Sequence, residues 1–133
     1  MARKVEILLR NENNTRILCI DVENKKKILD YLTQDERHKK KFRVFCDLFL
    51  GKLRIHDLYG KEAIDSKTKG VTAIKFFKRN ENDRIYCKEI ELKDTKLVIV
   101  MSELLTKKKN KKLKQREKNI IKKVGSYTYE IEI

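Results

Sequence analysis

The second half of the chain is its most constraining feature. Three strand-like segments, Ala73–Phe77, Arg84–Leu92 and Leu97–Met101, follow one another across short polar connections. The first connection contains Arg79-Asn80-Glu81-Asn82-Asp83 and the second is Lys93-Asp94-Thr95-Lys96. Asn and Asp suit turns because their side chains bond nearby backbone and tolerate left-handed conformations. Connections this short make the neighbours antiparallel, since parallel strands need a long crossover. An antiparallel three-stranded meander is therefore expected. It runs into Lys107–Lys123, a segment with ten Lys or Arg and one acid, Glu117.

The rest of the chain supplies elements to pack against this meander. Val5–Leu9 and Arg16–Val22 have strand character around the polar turn Asn11–Asn14. Asn24 is placed to cap a helix carrying Ile28, Leu29, Tyr31 and Leu32 on one face. Thr33-Gln34-Asp35-Glu36 has the form of a capping box, with Thr33 at the N-cap and Glu36 three residues on. It opens a second helix with Phe42, Phe45, Cys46 and Phe49 at helical spacing, and Gly51 is suited to end it with positive φ. Leu53, Ile55, Leu58 and Tyr59 are expected to pack on the sheet. Lys108–Val124 is expected to be helical, with a thin stripe of Leu113, Ile120, Ile121 and Val124 that Gly125 terminates. Tyr127, Tyr129, Ile131 and Ile133 alternate with other residues as a last strand would. The expected class is α+β: an antiparallel twisted sheet with its meander on two N-terminal helices, plus a basic C-terminal helix.

A chain of 133 residues is expected to form one domain over 1–133 and can bury a core without a disulfide or metal. Charged residues make up 41%, the formal net charge is +14 and the pI is about 9.7. Such an excess repels itself in a compact state, so folding does not call for it. It points to an anionic partner, nucleic acid or acidic protein, although charge also serves solubility. Cys19, Cys46 and Cys87 are widely separated, lie in apolar runs and form no CxxC pair, which suggests buried free thiols and a reducing compartment. The apolar run after Met1–Lys4 is too short for a signal or a membrane span, so a cytoplasmic location with no membrane partner is expected.

No Gly-rich phosphate loop and no His or Cys spacing for a metal is present, so neither metal nor cofactor is expected. His38 and His56 stand apart, and His56 near Arg54 is the better placed to move a proton. What remains is cationic. Period-two alternation sets Arg84, Tyr86 and Lys88 on one side of their strand, with Lys75 on the strand before and Lys107 and Lys108 beyond the strand after. Such a set suits RNA self-cleavage, in which a 2′-OH attacks the adjacent phosphate. Cations stabilise the charge that builds on phosphorus, and an aromatic ring stacks on a base. The catalytic candidates are Lys75, Arg84, Tyr86, Lys107 and Lys108. Arg54, His56, Lys78, Arg79, Lys88, Lys109, Lys111 and Lys112 are the candidates for holding RNA. The plainer reading of the same residues is a strand face with solvated charges.

The run Ala73-Ile74-Lys75-Phe76-Phe77, then Asp83-Arg84-Ile85-Tyr86-Cys87, then Leu97-Val98-Ile99-Val100-Met101 and Leu104–Lys112 resembles the RelE/ParE toxin superfamily, in its HigB-like, phage-derived branch. The resemblance covers roughly Asn24–Val124. It implies the toxin of a type II toxin–antitoxin pair, a ribosome-dependent endoribonuclease that cleaves mRNA. Its phosphate-binding positions would fall on Lys75 and Arg84, and on Lys107 or Lys108. The implied partners are mRNA on the ribosome and a cognate antitoxin, with operator DNA reached only through the antitoxin complex. The paired N-terminal strands and the Tyr127–Ile133 segment depart from the family pattern. Two other functions fit the same residues: a non-catalytic nucleic-acid-binding protein, and a ParE-like toxin directed at gyrase.

Overall fold

The computed structural model describes residues 2–51, 58–77, 83–93, 96–106 and 113–132. Its strands are β1 (Arg3–Arg10), β2 (Arg16–Asp21), β3 (Tyr59–Lys61), β4 (Val71–Lys75), β5 (Arg84–Leu92), β6 (Lys96–Leu105) and β7 (Tyr129–Glu130). Its α-helices are α1 (Lys25–Leu32), α2 (Glu36–Leu50) and α3 (Leu113–Ser126). The strands form one seven-stranded sheet in the order β3-β4-β5-β6-β2-β1-β7. The expected meander is present as β4-β5-β6, antiparallel throughout.

The sheet as a whole is mixed, which corrects the antiparallel expectation. β6 lies parallel to β2, with Arg16 opposite Leu97 and Ile20 opposite Met101, and β7 lies parallel to β1. The reason is visible in burial. Ile17–Ile20 and Val98–Met101 are uninterrupted apolar runs, and every one of these residues is fully buried. Strands covered on both faces have this composition, whereas a sheet with one wet face alternates. Leu18, Ile20, Ile99 and Met101 face α1 and α2, together with Ile74, Phe76, Ile85 and Cys87. Ile17, Cys19, Val98 and Val100 face the other way. Val5 and Ile7 of β1 and Ile90 and Leu92 of β5 pack over those four, so the sheet curls on that side. Further along the same face, α3 sets Ile121 and Val124 on Val71, Ala73, Tyr86 and Leu105.

Local signals shift the element ends. Asp35, not Thr33, is the N-cap of α2, and its carboxylate accepts from the His38 N–H at 2.8 Å. Asn24 precedes α1 but does not cap it; its side-chain amide donates to the Ser102 carbonyl at 2.7 Å. Gly51 follows α2 with φ of −82°, so positive φ is not what places glycine there. β6 continues through Ser102–Leu105, beyond the strand Leu97–Met101 expected from sequence. Gly125 lies inside α3 rather than after it.

Candidate nucleic-acid interface

Lys75 and Arg84 stand directly opposite each other on β4 and β5. Paired residues on antiparallel strands share a face, and like charges there repel. Glu62 lies between them: its Oε1 is 2.9 Å from Lys75 Nζ and 3.2 Å from Arg84 Nη1. The three side chains, Lys75, Arg84 and Glu62, keep 33%, 22% and 17% of their surface exposed, so the cluster is sheltered yet reachable. The Glu62 backbone is held by its N–H donating to the Val71 carbonyl at 2.9 Å. Along the strands, Gly60 pairs with Ala73, and a Cβ added at Gly60 would meet nothing within 4 Å.

Tyr86 shares the face of Arg84 but not its exposure. It is fully buried beneath α3 against Val71, Ala73, Leu105, Ile121 and Val124. Its hydroxyl makes no hydrogen bond among the described residues. Burial pushes that hydroxyl well above its usual pKa and Glu117 adds to the rise, while the nearby Arg84 guanidinium opposes it. Stacking on an RNA base was expected of Tyr86; a ring closed over by a helix does not offer a free face. Lys88 is also engaged internally. Its ammonium donates to the Gly125 carbonyl at 2.8 Å and to the Tyr127 carbonyl, neutralising the C-terminal end of α3. These bonds engage Lys88, one of the candidates for holding RNA, within the fold. Burial lowers its pKa from the usual lysine value.

A bulge gives this face one more polar residue. Tyr86 pairs with Glu103 but Cys87 pairs with Met101, so Ser102 is an extra residue in β6. The bulge re-aims the strand residues beyond it, as bulges do. Glu103 turns to the α3 side, where it accepts from the Tyr127 hydroxyl and lies 3.4 Å from Lys123 Nζ. Ser102 Oγ lies 2.8 Å from the Tyr129 hydroxyl oxygen. The Tyr129 hydroxyl donates to buried Asp21 at 2.7 Å, and Arg3 holds the same carboxylate at 2.7 Å. These bonds fasten the C-terminal segment to β1 and β2; they are clasps, with Arg3 stacked 3.9 Å over the Tyr127 ring.

Of the expected site residues, the structure brings together Lys75, Arg84 and Tyr86. Arg54, His56, Lys78, Arg79, Lys107, Lys108, Lys109, Lys111 and Lys112 lie outside the described residues. Sequence reasoning missed Glu62. It belongs to no motif and is 13 positions from Lys75 in sequence, so only the β3–β4 pairing brings them near. A short Tyr-Gly-Lys strand just ahead of Glu62 was the one available hint. Chemically, the cluster offers a carboxylate that can take a proton and two cations that can hold a phosphate. Among the described residues no helix is long and apolar enough to cross a membrane. No family model, curated protein or solved structure matches the chain.

Proposed function

We propose that this protein is a RelE-like endoribonuclease, the toxin of a type II toxin–antitoxin pair that cleaves mRNA on the ribosome in the cytoplasm. One observation carries the reading: Glu62 is held between Lys75 and Arg84 in a sheltered, open cluster. Glu62 takes the proton from the 2′-OH as its oxygen attacks the adjacent phosphorus. Arg84 stabilises the equatorial charge of the phosphorane. Lys75 donates a proton to the departing 5′-oxygen, and the RNA is left with a 2′,3′-cyclic phosphate. In the free protein Glu62 pairs with both cations and leaves the trio one net positive charge; RNA phosphate competes for the cations and frees the carboxylate to act as base. A cognate antitoxin would cover the same basic face with acidic side chains.

The burial of Tyr86 favours a second reading, a nucleic-acid-binding protein without catalysis, because it removes one group from the cleavage machinery. One experiment separates the readings. The protein is expressed under tight control in a bacterial host, beside Lys75→Ala and Arg84→Ala, and mRNA 5′ ends are mapped. New ends within translated regions, absent from both variants, support the nuclease. Growth arrest without new ends moves the reading to gyrase, and normal growth without new ends moves it to the binding protein.

A further inference from the structure

A second basic surface lies on the other side of the sheet. Along α2, Arg37, Lys39, Lys40, Lys41 and Arg43 fall within seven consecutive residues. Lys40 and Arg43 are exposed and Lys41 partly so, while Phe45, Cys46 and Phe49 hold the helix to the core. Lys39 pairs with Glu36 at 3.3 Å, and Arg37 stacks 4.0 Å over the Phe77 ring. Among the described residues no carboxylate partners Lys40, Lys41 or Arg43. Acids only bracket the patch, with Asp35 and Glu36 before it and Asp47 beyond it.

Stability does not account for this placement. Arg37 and Lys39 sit in the first turn of α2, where the helix dipole disfavours positive charge, and the cations beyond that turn gain nothing from the dipole. They also add to a net charge of +14, which repels itself. The position of the patch says what kind of partner it fits. α2 packs on one sheet face, whereas Lys75, Arg84 and α3, with exposed Arg116, Lys118 and Lys122, occupy the other. A flat membrane can meet only one of two opposed faces. A folded polyanion can meet both.

We infer that the outer face of α2, through Lys40, Lys41 and Arg43, is a second phosphate-backbone surface that binds structured RNA on the side opposite Lys75 and Arg84. The inference rests on the reading of an RNA partner, not on cleavage. A phosphate backbone bound through cations gives affinity that falls with salt in proportion to the contacts made. The test is binding of the whole protein to a short RNA duplex across a salt series, read by fluorescence anisotropy. The triple variant Lys40→Ala/Lys41→Ala/Arg43→Ala should weaken binding roughly tenfold near physiological salt and lower the log–log salt slope by about two to three. A Lys40→Arg/Lys41→Arg variant should bind as the wild type does, which separates lost charge from a damaged helix. A triple variant with unchanged affinity and slope would overturn the inference, as would a wild type that does not bind the duplex. Loss of binding to phosphatidylserine vesicles with RNA binding intact would overturn it in favour of a membrane surface. Because no arm reads cleavage, failure of the nuclease proposal leaves a distinct signature: an intact salt slope and no new mRNA ends.

Discussion

Glu62 and Tyr86 show how differently two polar residues on one sheet face are used. Glu62 bridges two cations that would otherwise face each other unscreened across β4 and β5. Glu62→Gln keeps the shape and removes the base. Its cleavage rate on ribosomes should fall by at least about 10²-fold, the usual scale of a lost general base. RNA affinity, measured in parallel, should hold or rise, because a competing negative charge is gone; affinity and rate falling together would assign Glu62 to structure alone. Tyr86 has the opposite character, a large ring in the α3 interface whose hydroxyl makes no hydrogen bond among the described residues. Leaving a buried hydroxyl unpaired is costly, so Tyr86→Phe should leave thermal stability unchanged or raise it by up to about 1 kcal/mol. It should also retain cleavage within a few-fold, whereas a collapse of activity at full stability would restore Tyr86 to the chemistry.

At the scale of elements, two helix ends decide how the sheet is covered. The C-terminal end of α3 comes very close to the 3₁₀ turn Ser66–Thr68. A Cβ on Gly125 would lie 2.9 Å from both the Lys67 carbonyl oxygen and Thr68 Cγ2. Glycine is there for close approach, not to stop the helix. Gly125→Ala should therefore destabilise the protein by about 1–3 kcal/mol, as overpacking does, despite alanine's better helix propensity. Chemical denaturation measures it directly. At the start of α2, the His38 backbone N–H and then its ring hold the Asp35 carboxyl below its usual 3.8, with Nδ1 2.6 Å from the carboxylate. The folded state then binds fewer protons than the unfolded one. The stabilisation is complete above about pH 4 and is lost as pH falls through the lower folded value. Asp35→Asn caps without titrating, so its unfolding midpoint should drop less than the wild type's between about pH 5 and pH 2.

At the scale of the whole molecule, the three thiols report on the integrity of the core. Cys19, Cys46 and Cys87 are buried, and burial pushes Cys19 up to about 11, Cys46 up to about 12 and Cys87 well above its usual value. The thiolate is the reactive form, so a thiol reagent near neutral pH should label none of them in the native protein and all of them in denaturant. Fast labelling without denaturant would contradict the two-sided core. Most of the elements, β3 excepted, were legible in the chain, because they depend on local rules. Alternation set Lys75, Arg84 and Tyr86 on one face, short turns made β4-β5-β6 antiparallel, and apolar spacing marked Phe45, Cys46 and Phe49 as the buried side of α2. The coverage of each face was not legible, since it depends on partners distant in sequence. The parallel docking of β6 on β2 closes both faces of the central strands, and α3 shuts over Tyr86. The bulge at Ser102 turns Glu103 over, and the β3–β4 hairpin delivers Glu62. Local sequence thus determined which cations share a face, because side-chain direction follows from strand geometry alone. Only the tertiary structure decided which of them stay accessible and which carboxylate they meet, because burial and ion pairing are made between segments that the chain order keeps apart.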